Sequence, residues 1–343
     1  MGHNTKKESK KEEVKELKRN QTMDVVRIIA SFLVVLFHVP LPGKAEVISK
    51  GIARFAVPYF MMISGWFLWR EDKEDALKNA KKTLIKLLRF TLISTIFVSI
   101  VNTLICLKQN KGPFEWFTLF SGGNRFRDFL LINKTFFLSA VLWYLFAMIY
   151  VELIYILLLK FNLLKKSYFL IVPLIIGNII INEYYHLDWL YSSNWLFTGV
   201  PFVLLGSYLH SSKWWRKIPA YISWIMIIIG IISILFEIKQ LGECYFYIGS
   251  VPMILGIFML VIKGESITYP KFLSDFGAKC TQIIYVLHFS LRNVIYEFFG
   301  KPTEPLMIAV LPVIVFALSS IIAIIVVFIK ECYLKNNVKK KKA

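Results

Sequence analysis

The sequence predicts an all-α, polytopic membrane protein with about ten transmembrane helices and both termini in the cytoplasm. Three observations predict it. Hydrophobic residues fill 57% of the 343 positions, against roughly 45–50% in a soluble domain. Apolar runs close to the roughly 20 residues needed to cross hydrocarbon recur from end to end. The formal net charge is +19, but it is bunched. Lys and Arg gather in the tail "KKESKKEEVKELKRN", in connections such as "KKTLIK" and "LLKKS", and in the final "KNNVKKKKA". Segments in lipid must be helical, because their backbone groups find no water to bond.

The expected spans are roughly 24–42, 52–69, 84–107, 139–159, 167–184, 192–210, 218–238, 245–263, 280–299 and 305–330. With the N-terminus inside, about 27 Lys and Arg fall in inner loops and tails and about 9 in outer loops, as the positive-inside rule requires. Residues 1–22 read as a basic cytoplasmic tail without fixed structure, 23–330 as one membrane domain, and 331–343 as a second basic tail. Both tails are expected to meet anionic lipid. Nucleic-acid binding is set aside, because the charge flanks spans and forms no module of its own.

The first span, "DVVRIIASFLVVLFHVP", carries Arg27 and His38. Charges inside spans cost a few kcal/mol and ask for a reason. Eleven steps of about 100° make three turns plus about 20°, so the two side chains share one stripe, about 16 Å apart along the axis. The bland alternative has Arg27 snorkelling to headgroups and His38 closing the helix before Pro40. A cleaved signal peptide, the other alternative, would discard both residues.

The second span, "RFAVPYFMMISGWFLW", places Arg54 near its outer end, with Pro58 and Gly65 permitting a kink or a close helix contact. Ser64 beside Gly65 is a weaker candidate. Lys86 and Arg89 open the third span at the inner face and could join Arg27 in an anion site. The outer connection 108–138 holds Arg125, Arg127 and Lys134 among aromatics, and reads as an interfacial helix or a cap over an outward-facing site. Trp143 and Tyr144 read as packing. "NEYYHLDW" offers Glu183, His186 and Asp188, more simply solvated loop charges than a metal or sugar site. The ninth span, "CTQIIYVLHFSLRNVIYEFFG", sets Tyr285, His288 and Arg292 on one side. An arginine beside a buried histidine favours the neutral ring, which suits a proton acceptor; pairing of His288 with Glu152 or Glu237 is the structural alternative.

Cys106, Cys244, Cys280 and Cys332 are scattered, with no C-x-x-C and no zinc spacing, so no metal is expected. The start "MGHNTK" lacks the Ser or Thr of a myristoylation signal. There is no phosphate loop, no G-x-S-x-G and no H-E-x-x-H.

Together these residues resemble a family. Arg27 with ten residues before His38, "RFAVPYFMMISGWFL", "FVLLGSYL" at 202–209 and "YVLH" in the ninth span are similar to the acyltransferase-3 family of bacterial integral membrane acyltransferases, over roughly 24–330. The resemblance implies a ten-helix, multi-pass protein of the bacterial cell membrane. It implies transfer of an acyl group, usually acetyl, from cytoplasmic acyl-CoA to a hydroxyl of an extracytoplasmic carbohydrate or lipid-linked acceptor. Arg27 and His38 match the family's characteristic pair. Acetyl-CoA is then a co-substrate, and no tightly bound cofactor is expected. Many relatives carry a fused extracytoplasmic hydrolase-like domain, so this chain is expected to act alone or with a separate transfer protein; a homo-oligomer stays open. A glycopeptide-resistance subgroup, with amino-acid transport implied, keeps a transporter of a small polar solute as the alternative.

The expected roles follow. Arg27, with Lys86 and Arg89, would bind the phosphates of coenzyme A. His38 would act as general base or brief acyl carrier. Arg54 or Arg292 would stabilise the oxyanion, with Ser64 and Tyr285 on the acceptor side and His288 as proton relay.

Overall fold

The computed structural model describes residues 19–118, 125–135, 138–185 and 191–340, and every regular element among them is helical. The N-terminal tail up to residue 18 lies outside them. Helix α1 (Gln21–His38) starts under the Asn20 side chain, which accepts the Met23 N–H. It ends where it does because Val39 precedes Pro40. A residue before proline is pushed out of the helical region, and Val39 has φ −121° and ψ 83°. The expected end at 42 therefore falls about one turn too far.

The second apolar run is two helices, α2 (Lys44–Ala53) and α3 (Ala56–Leu68), with Arg54 and Phe55 at the joint. Pro58 lacks the N–H that would bond to the Arg54 carbonyl, which releases the chain there. Helix α4 (Lys73–Lys108) has 36 residues, about 54 Å, so it overruns a hydrocarbon core of about 30 Å. Helix α5 (Trp143–Lys160) follows the outer connection. Helix α6 (Ile171–Ile179) runs into a π-helical turn, Ile180–Tyr184, and a second π turn, Trp195–Gly199, leads into α7 (Val200–Ser212). Then come α8 (Ala220–Leu241), α9 (Ser250–Lys263), the short α10 (Lys271–Lys279), α11 (Thr281–Phe299) and α12 (Pro305–Lys340).

Among the described residues, seven helical segments are long and apolar enough to cross a membrane: Gln21–His38, Lys44–Leu68, Lys73–Lys108, Ala140–Lys160, Leu164–Glu183, Ala220–Leu241 and Pro305–Lys335. The other three expected spans correspond to α7, α9 and α11. In α7 and α9 the apolar character has a second cause, which is burial in protein, whereas α11 is long enough but carries Gln282, His288, Arg292, Asn293 and Glu297. Residues 200–207 of α7 are all buried, and α9 is 14 residues long with most of them in the core. Hydropathy alone does not separate a short buried helix from a span. The outer faces of α4, α8 and α12 are different. Ile93, Phe236 and Phe328 are each more than 60% exposed and sit in continuous aliphatic belts. Belts of that length need lipid, not water, around them.

Small residues set how closely the inner helices meet. A Cβ on Gly65 would lie 1.9 Å from the Val203 carbonyl oxygen, and one on Gly206 would lie 2.0 Å from that of Met62. Helices α3 and α7 therefore touch backbone to backbone, the close approach that Gly65 suggested. Helix α10 meets α1 the same way through Gly277, whose Cβ would fall 2.0 Å from the Asp24 oxygen. Arg19 clamps this contact. It bonds Asp24 at 2.5 Å, Asp275 at 2.6 Å and the Ser274 carbonyl. The guanidinium bond holds the Asp275 carboxyl below its usual range. The contribution of that pair to stability is thus present above the ordinary carboxylate pKa and is lost as pH falls through the lowered value.

The C-terminal part of the connection 108–138 sits on the N-terminal end of α5. Asn133 is fully buried; its amide donates to the Trp143 carbonyl and its oxygen accepts the Trp195 N–H. Arg127 and Lys134 pair with Asp128. This segment caps the bundle next to Trp143. Residues 119–124 lie outside the described part, and so does the side chain of Arg125.

Candidate active site

Arg27, Ser31, Val34 and His38 follow one another at helical spacing along α1. Ser31 and Val34 are buried, and Ser31 Oγ donates to the Arg27 carbonyl at 2.8 Å. Val34 and the partly exposed His38 line a cavity of about 330 Å³, within the size range of small-ligand sites. The C-terminal half of the stripe thus faces a cavity walled by protein.

The surroundings of His38 come from three helices. Its ring lies 5.3 Å from that of His288 and 5.4 Å, edge to face, from Phe289 on α11. Its carbonyl accepts a 2.8 Å bond from Arg292 Nη1. The rest of the Arg292 fork is occupied by Asn293 and stacks on Phe289. Arg292 therefore fixes the C-terminal end of α1. His288 is fully buried; its Nδ1 faces the Ile284 carbonyl at 3.2 Å, and Nε2 has no hydrogen-bond partner among the described residues. Neither expected carboxylate partner holds it. Glu237 instead accepts bonds from Ser233, Ile248 and Gly249.

Arg54 enters the cavity from the α2–α3 joint and Lys50 from one turn earlier. Arg54 stacks against Phe37 at 4.3 Å and Tyr245 at 5.2 Å. Across from them is the loop 242–249. Gly242, at φ +77°, reverses the chain after α8, a conformation that favours glycine. The Tyr247 hydroxyl donates to the Gly242 carbonyl and accepts the Cys244 N–H, while burial raises the Tyr247 phenol above its ordinary range. The loop is thereby rigid, and it presents Glu243, Tyr245 and Phe246 to the cavity. Asn178 and Thr198 close another wall, bonded to each other and to the Ser192 carbonyl. The π turns at Ile180–Tyr184 and Trp195–Gly199 flank this wall; such turns are frequent at functional sites.

Arg27 is not among the cavity residues. It is ion-paired to the buried Asp24 at 2.9 Å and lies 6.0 Å from the Phe67 ring. Tyr285 and Tyr144 pack together, with ring centroids 5.3 Å apart. Tyr285 lies 6.1 Å from His288 and donates to the Val141 carbonyl. Ser64 is back-bonded to Phe60 and lies beside Tyr144. Lys86 and Arg89 are exposed on α4.

The helices thus bring His38, His288, Arg292 and Arg54 together, with Tyr285 one turn away. Arg27 lies below on the same stripe, and Lys86 and Arg89 stand outside the cavity. Sequence reasoning missed Asp24, although its i−3 spacing from Arg27 was visible. Lys50 and Glu243 it also missed. Their meeting depends on a loop almost 200 positions away, for which one sequence holds no signal. Trp143 proves to be a cavity wall. His186 and Asp188 lie outside the described residues; Glu183 accepts a 3.2 Å bond from the Ile248 N–H. Among the described residues no group of three or more His, Cys, Asp or Glu could hold a metal ion.

A family model described as an acyltransferase domain, that of the acyltransferase-3 family, matches residues 20–331. No curated protein and no solved structure matches the chain.

Proposed function

The chain belongs to the acyltransferase-3 family and so is a membrane acyltransferase, and from that premise we propose that it acetylates a hydroxyl of an extracytoplasmic carbohydrate or lipid-linked acceptor at the expense of cytoplasmic acetyl-CoA. The single observation that carries this reading is the placement of His38. It lines a cavity at the end of α1 opposite Arg27, on the same face of the same helix. In this reading the N-terminus faces the cytoplasm of a bacterial cell, ten helices span or fill the membrane, and the cavity opens outward. Family membership does not favour the transporter reading.

Arg27 stands at the inner end of the stripe. Asp24 engages its Nη1 and orients the fork, whose remaining donors match a phosphate of coenzyme A. Lys86 and Arg89 add positive charge at the same membrane face, drawing in a polyanionic donor. The pantetheine arm follows the stripe past Tyr144 and Tyr285 to bring its thioester to His38.

There His38 takes the proton of the acceptor hydroxyl as its oxygen attacks the thioester carbonyl. The C–S bond breaks, the sulfur leaves as thiolate, and the proton passes from the imidazolium to it, giving free coenzyme A and an O-acetyl ester. His288, with an unpaired Nε2 and a ring 5.3 Å from that of His38, is the relay for that proton. Arg54 and Arg292 supply a positive field for the charge that develops on the carbonyl oxygen, a field that counts for more in a water-poor site.

The test is purified protein in proteoliposomes with labelled acetyl-CoA and envelope polysaccharide. Free thiol should appear in step with O-acetyl label on the polymer. Thioester that stays intact would refute the assignment. Arg27→Ala should raise the KM for acetyl-CoA about 10- to 100-fold, the value of a charge-assisted bond of about 1.5–3 kcal/mol, with a smaller change in kcat. His288→Gln should lower kcat and leave both KM values near wild type; an unchanged pH–rate profile in that variant would remove His288 from the relay.

A further inference from the structure

We infer that the outer cavity is built for an acceptor that carries a negative charge, an acidic sugar unit, and that Glu243 occupies the place of that charge while the cavity is empty. The inference rests on the acceptor side of the function proposed above and adds its chemical class.

Arg54 is the starting point. Its side chain is only 9% exposed, yet among the described residues its Nε and Nη2 find no hydrogen-bond partner. The nearest acid oxygen, Glu243 Oε1, is 3.6 Å from Nη2, too long for a hydrogen bond. Phe37 and Tyr245 cover the guanidinium faces, and the residue lines the cavity wall. A cation buried with its donors unmet is costly. A planar fork of this kind matches a carboxylate.

Lys50 makes the site a pair. It lies one helical turn before Arg54, its side chain is 17% exposed, and its Nζ is 3.4 Å from the same Glu243 Oε1. Two largely shielded cations therefore converge on one carboxylate oxygen. The cations are fixed on or beside α2. Glu243 is 39% exposed and sits on the loop after Gly242, so its side chain can swing out to water where theirs cannot. Glu46 also binds Lys50, at 2.7 Å, whereas the Arg54 Nε and Nη2 stay without a hydrogen-bond partner among the described residues. The amide and hydroxyl of Asn178 and Thr198 are already engaged in the wall. A neutral sugar would thus find few free partners, whereas an acidic one finds Arg54 and Lys50. The aromatic wall of Trp143 and Phe246 suits the apolar C–H face of a sugar ring better than a bare inorganic anion.

The experiment uses the full chain in detergent, titrated with trigalacturonate, its fully methyl-esterified form, and inorganic phosphate. The acid trimer should bind about tenfold more tightly than the ester, and the ratio should shrink as salt is raised. Lys50→Gln should bring the ratio toward one and Lys50→Arg should keep it. Glu243→Gln, an exposed loop change, should tighten the acid trimer several-fold and leave the ester unchanged. Equal binding of acid and ester, absence of binding by both, or weaker acid binding in Glu243→Gln would overturn the inference. Phosphate binding as tight as the acid trimer would overturn the sugar class. Because the readout is binding, these results are independent of whether acyl transfer is observed.

Discussion

Replacing His38 with alanine should stop acyl transfer and leave the protein folded in the membrane. The side chain is partly exposed to a cavity and makes ring contacts rather than filling a tight core. The end of α1 is held by other means, namely the Arg292 bond to the His38 carbonyl and the stop at Pro40. Truncation therefore costs little packing but removes the group proposed to accept the hydroxyl proton. A positioned general base contributes about 10²–10⁴-fold in rate. The loss should appear in kcat, with the KM for acetyl-CoA near wild type, because in the proposed mechanism the donor's phosphates bind at the other end of the stripe. A gel-filtration profile and melting temperature like those of the wild type would establish that the fold survives. Wild-type turnover in His38→Ala would remove this histidine from the mechanism.

The second large effect concerns stability. Alanine at Gly65 or Gly206 should destabilise the protein, although alanine is the better helix former by about 1 kcal/mol. The sign follows from the crossing of α3 and α7. Each added Cβ would meet a backbone oxygen, that of Val203 at 1.9 Å or that of Met62 at 2.0 Å. Backbone cannot rotate away as a side chain can, so the helices must separate. Overpacking of this kind costs about 1–3 kcal/mol and sometimes more. Separation also shifts the joint that carries Arg54, so activity should fall together with stability. Thermal denaturation in detergent reads the result: a lower midpoint for both variants is expected, and a raised midpoint would mean that the crossing is looser than described.

These two cases show what one sequence can and cannot reveal. The stripe of Arg27 and His38 was legible because helical periodicity depends only on local spacing, and both residues lie on one helix. The meeting of His288 and Arg292 on one face of α11 was legible for the same reason. Gly65 announced a close contact, but its partner was hidden, since nothing in "ISGW" points to Val203. The span count was ambiguous where burial and lipid exposure select the same residues, as in α7 and α9. The end of α1 was misjudged because hydropathy continues past His38, whereas the backbone rule at Pro40 does not allow the helix to. Lys86 and Arg89 were placed by membrane face alone; spacing gave no neighbour, and the structure leaves them exposed on α4. Lys50 and Glu243 are a loop-to-helix meeting across the chain, which only the fold creates.

The central claim is that an acyl group passes along the α1 stripe from one membrane face to the other. Sealed, inverted membrane vesicles given labelled acetyl-CoA on their outside test it most directly. The account predicts free coenzyme A outside and labelled acceptor in the lumen with the wild-type protein, and neither with His38→Ala. Label that stays on the cytoplasmic face, or that reaches the lumen as intact thioester, or equal labelling by the His38 variant, would contradict it.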